Sequence, residues 1–98
     1  MLEGLKDFIK EANSEIKKET IKLNRLHKEI NEYETLIYIM GKTGSSEQVM
    51  YFKQKINNCY TKIDMCLENI SSNKDRIATM KAVNKIVKRG EKSAWKQN

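Results

Sequence analysis

Apolar residues recur at alternating steps of three and four along the first forty positions of the chain. The steps land on Leu2, Leu5, Ile9, Ala12, Ile16, Glu19, Leu23, Leu26, Ile30, Tyr33, Ile37 and Met40, and only Glu19 is polar. With the first of each pair labelled a and the second d, every a position is Leu or Ile. A strand needs period two, whereas a spacing averaging 3.5 keeps one helical stripe turned toward a partner helix. The second half repeats the pattern at Val49, Phe52, Ile56, Cys59, Ile63, Cys66, Ile70, Asn73, Ile77, Met80, Asn84 and Val87. Two long helices with matching apolar seams are therefore predicted, with the left-handed supercoil that a seven-residue repeat imposes.

Between the seams lies Met-Gly-Lys-Thr-Gly-Ser-Ser, residues 40–46. Its Gly-Lys pair suggests a phosphate-binding loop, but such a loop needs a further glycine five positions earlier, where this chain has Leu36. It also needs a preceding strand, and here a helical pattern precedes it. The stretch reads instead as a turn. Gly41 is placed to end the first helix in a left-handed conformation, and Ser45 with Gln48 forms a capping box for the second. The expected fold is all-α: an antiparallel two-helix hairpin, a coiled coil that associates into a larger helical bundle. A single domain over residues 1–98 is expected, with helix 1 at about 2–40, a turn at 41–45, helix 2 at about 46–89 and a basic tail at 90–98.

Folding the chain at the turn pairs residues whose numbers sum to 89. Met40 then meets Val49, Tyr33 meets Ile56, Ile30 meets Cys59 and Leu5 meets Asn84. Each layer joins one a residue to one d residue, as antiparallel packing requires. On the flanks, Glu34 falls opposite Lys53, Glu29 opposite Lys62 and Glu15 opposite Arg76, while Phe8 faces Val83. The polar seam residue Asn73 is read as a register-setting group.

The composition agrees with long helices. The 98 residues include no proline, only four glycines, 33% charged residues and 7% aromatics. The N-terminal segment lacks the long apolar stretch of a signal peptide, and no run is long enough to cross a bilayer. A soluble cytoplasmic protein without membrane attachment is the expectation.

The residues offer little to catalysis. Cys59 and Cys66 lie seven apart on one helix face, too far to bridge within the chain, and both fall on the seam, where a thiol is shielded rather than activated. His27, the only histidine, lies beside the seam near Tyr60. These three make no zinc cluster. No enzyme activity, metal, cofactor or small-molecule substrate is expected. The Asn69-Ile70-Ser71 glycosylation pattern falls inside a helix and is read as chance.

Two surface features suggest partners. Large apolar residues off the seam gather near the turn at Leu36, Tyr38, Ile39, Met50 and Tyr51, with Ile21, Tyr60, Met65, Leu67 and Ile86 further along. Such residues on a two-helix coil point to another helical surface that covers them. The expected role is a non-enzymatic, adaptor- or chaperone-like protein that packs on itself, on a helical protein, or on both. The second feature is charge. The net +6 is concentrated in residues 74–98, which hold eight basic and two acidic side chains. Lys81, Lys85, Lys88, Arg89, Lys92 and Lys96 form a basic surface near Trp95, which gives nucleic-acid binding as the alternative function.

The outline, about a hundred residues in two equal helices, resembles the small secreted helical hairpins that carry a Trp-x-Gly turn. The turn here, Met40-Gly41-Lys42-Thr43-Gly44, lacks the Trp. Tyr60 and Asp64 fit the Tyr-x-x-x-Asp/Glu export signal of those proteins, but inside the helix rather than beyond it. Membership is not assigned. The resemblance implies, as a further alternative, an accessory or substrate of a secretion system that handles such hairpins.

Overall fold

The computed structural model describes the backbone of residues 3–97 and the side chains of residues 3–90. The chain is a helical hairpin of α1 (Glu3–Thr43) and α2 (Ser46–Gln97), with no strand among the described residues. It is a rod of 82 × 14 × 14 Å. Its length is set by α2, because 52 residues at 1.5 Å rise span about 78 Å.

The heptad reading accounts for the burial pattern. Every described seam residue is buried or half-buried, and off the seam only Phe8, Glu29 and Lys55 are less than fully exposed. All three lie at g, the position just before a in the heptad. The tightest packing is central, where Leu26 and Ile30 of α1 meet Cys59, Ile63 and Cys66 of α2. Leu23, Tyr33 and Ile56 close over this cluster. Nearer the turn, the Tyr33 and Phe52 rings stand 5.9 Å apart.

The turn is tighter than the sequence suggests. Gly41 does not terminate α1, which runs three residues past the expected end to Thr43, and no glycine has a positive φ. The helical bonding continues instead: the Gly44 amide donates to the Met40 carbonyl, and the Thr43 hydroxyl to the Ile39 carbonyl at 3.3 Å. Gly44 is the position that needs a missing side chain. A Cβ there would stand 2.9 Å from the Met40 carbonyl oxygen. The capping box forms as expected: the Gln48 amide donates to Ser45 Oγ, and the Ser45 amide to Gln48 Oε1, both at 3.3 Å.

At the far end, Gly90 does not stop α2. Its φ is not left-handed, nothing crowds it, and the helix runs on to Gln97, past the expected end at about 89. The expected ion pairs Glu34–Lys53, Glu29–Lys62 and Glu15–Arg76 also do not form. Among the described residues the salt bridges are Lys18–Glu15 at 3.6 Å and Lys22–Glu19 at 3.3 Å, both within α1. An exposed pair across the seam gains too little to hold two long side chains in place. Asn73 likewise turns back on its own helix, donating to the Asn69 carbonyl at 2.9 Å rather than reaching across to set register.

Candidate functional site

The register divides the rod into two long faces. Positions g and c of both helices flank one side of the seam, and positions e and b flank the other. A groove on the g/c side shows this directly. It is lined by Lys22 and Arg25 from α1 and by Lys62, Met65 and Asn69 from α2, with Glu19, Leu26 and Cys66 at its floor.

The five apolar residues expected to form one association surface are all exposed, but they divide between the two faces. Leu36 (36% exposed), Ile39 (54%) and Tyr51 (54%) occupy g and c positions. Tyr38 (68%) and Met50 (69%) occupy b positions on the opposite face. Local contacts separate them further. The Lys55 ammonium lies 5.3 Å from the Tyr51 ring centroid on the g/c side. On the other side Lys42 lies over the Tyr38 ring at 4.4 Å and donates to its hydroxyl at 3.0 Å.

The g/c face is apolar at both ends. At the turn it carries Leu36, Ile39 and Tyr51, and at the open end Phe8, Val83 and Ile86, of which Ile86 is 68% exposed. The e/b face has another character. In its open half it gathers Lys6, Lys10 and Lys17 from α1 with Lys74, Lys81, Lys85 and Lys88 from α2. The antiparallel register brings the α1 lysines, distant in sequence from those of α2, onto the same face. Arg89 lies at an f position, exposed on the back of α2. Lys92 and Lys96 lie outside the described side chains.

Two thiol–carboxylate pairs open toward the g/c face, and the sequence reading did not find them. Cys59 Sγ donates to Glu29 Oε2 at 3.6 Å. Cys66 and Glu19, the one acidic seam residue, lie together at the floor of the groove, where the Lys22 ammonium bonds Glu19 at 3.3 Å. Burial, and then the adjacent carboxylate, pushes each thiol above its ordinary 9.0. The Cys66 thiol holds the Glu19 carboxyl below its ordinary 4.5, and Lys22 acts in the same direction against the opposing effect of burial. Both cysteines are buried and unbridged. A neutral, shielded thiol is a poor nucleophile, and both thiols belong to the buried seam cluster. Among the described residues no group of three or more His, Cys, Asp or Glu side chains could hold a metal ion, and no helix is long and apolar enough to cross a membrane.

No known protein family, curated protein or solved structure matches the chain.

Proposed function

We propose that this chain is a non-enzymatic interaction protein that works through helix packing, first with another copy of itself and then with a helical protein partner. The observation that carries this reading is the uncovered apolar group Leu36, Ile39 and Tyr51, contributed by both helices at one end of one face. A two-helix rod buries only its seam, and large apolar groups clustered outside it mark a surface that another helical element covers. If unfolding is linked to dissociation, stability depends on concentration. The thermal midpoint should therefore rise steadily as the protein is concentrated from low to high micromolar. A midpoint independent of concentration would reject the reading.

A second reading rests on a separate observation, the lysines that α1 and α2 bring together on the e/b face. Two parallel rows of cations along a rod suit the phosphate backbone of a nucleic acid. This reading predicts binding to a labelled duplex that weakens steeply with salt and is lost when Lys81, Lys85 and Lys88 become Gln. Binding unchanged in that variant would rule the face out.

A further inference from the structure

We infer that the partner on the g/c face is a second copy of this chain lying parallel to the first, turn end beside turn end, to form a four-helix bundle. This inference rests on the self-association proposed above and adds the face and the orientation.

Charge along the face distinguishes the two orientations. In a parallel face-to-face pair related by a twofold axis along the rod, α1 of one copy lies over α2 of the other at the same level. Glu15 then meets Arg76, and Glu29 meets Lys62. Ile39 meets Tyr51 at the turn end, and Phe8 meets Val83 at the open end. In the antiparallel alternative α1 lies over α1 and α2 over α2. Glu15 is then set against Glu29, and Arg76 against Lys62. The parallel arrangement matches opposite charges, and the antiparallel one opposes like charges, which is costly at an interface.

Glu15 has only its exposed contact with Lys18 at 3.6 Å, and Glu29 accepts only from the Cys59 thiol, so both carboxylates retain oxygens for a further cation. Among the described residues Glu29, Lys62 and Arg76 form no ion pair, although the register places their complements across the seam of the same chain. The face also has room for a stable contact. Over the 41 residues of α1, about 60 Å at 1.5 Å rise, a face 14 Å wide offers on the order of 800 Å² per copy, which matches the roughly 800 Å² of a standard interface. Three g residues, Phe8, Glu29 and Lys55, are half-buried, whereas every described e residue is exposed.

The test uses the wild-type protein. Equal amounts of isotopically heavy and light chains are mixed, exchanged, and treated with a short amine-reactive cross-linker, and the mixed-isotope peptides are sequenced. Links between copies among Lys42, Lys53 and Lys55 are expected, because the turn ends lie together. Links joining those lysines to Lys6 or Lys85 of the other copy would place the turn end of one rod at the open end of its partner. That would overturn the orientation while leaving self-association in place. A single-chain mass before cross-linking would overturn both.

Discussion

The two faces of the rod make opposite predictions for the same kind of substitution near the turn. Ile39 and Tyr51 lie on the g/c face and each leaves about half of its surface in water. Full burial of such a side chain is worth about 1.5–3 kcal/mol, so covering the exposed half contributes about 1 kcal/mol. Each copy supplies two such residues, and a twofold pair supplies four, which gives about 4 kcal/mol to the association. Replacing both residues with Gln, a good helix former, should weaken dimerisation by roughly 100- to 1,000-fold. Tyr38 and Met50, at the same end and at least as exposed, lie on the other face. Their double replacement by Gln should change the dissociation constant by less than about threefold, the usual scale for surface changes. The assay is sedimentation equilibrium over a concentration series, with circular dichroism to verify that helicity is retained. Equal loss in both double variants would refute the division into faces, and loss only in Tyr38→Gln/Met50→Gln would reverse it.

Other consequences concern the turn and the seam. Ser45→Ala removes the cap of α2 and should lower stability by about 1 kcal/mol in urea unfolding, whereas Gly44→Ala should destabilise by forcing a Cβ against the Met40 carbonyl. Ile30, 4% exposed in the central cluster, should cost about 2–5 kcal/mol on truncation to Ala, while Ile21→Ala at 59% exposure should cost under about 0.5 kcal/mol. Stability should also decline at both ends of the pH scale. Glu19, depressed in the fold, contributes stability that is lost as pH falls below about 4.5, and the raised thiols contribute stability that is lost as pH climbs above about 9. Glu19→Gln should flatten the acid limb of the thermal midpoint and Cys66→Ser the alkaline limb. An unchanged profile in both would contradict the thiol–carboxylate pairing. Both native thiols should react with a disulfide reagent far more slowly in the folded protein than in urea.

Much of the hairpin was legible because a heptad repeat encodes the helix, its buried stripe and its partner in one pattern. The step from Met40 to Val49 across a capping box places the turn, and the sum of 89 gives a register that the central cluster obeys. The errors lay where the pattern carries no information. Gly41 and Gly90 suit helix ends, but with no proline nearby the backbone bonding simply continued through both. The register sets the cross-seam charges opposite one another but does not fix which partner a long side chain takes: Lys18 bonds Glu15, and the Cys59 thiol bonds Glu29. The five apolar residues share a closeness to the turn, while neighbours in sequence such as Tyr38 and Ile39 lie on opposite sides of a helix pair. The basic surface likewise draws on both helices. Its α1 lysines are scattered among acids in sequence and join α2 only once the chain has folded back.

The central claim is that the exposed g/c face is covered by a second copy of the chain. The measurement that tests it most directly is the molar mass of the wild-type protein in dilute salt at high micromolar concentration, by sedimentation equilibrium. The account predicts twice the 11.5 kDa of one chain, falling toward the single-chain value on dilution. A mass of one chain throughout would contradict it.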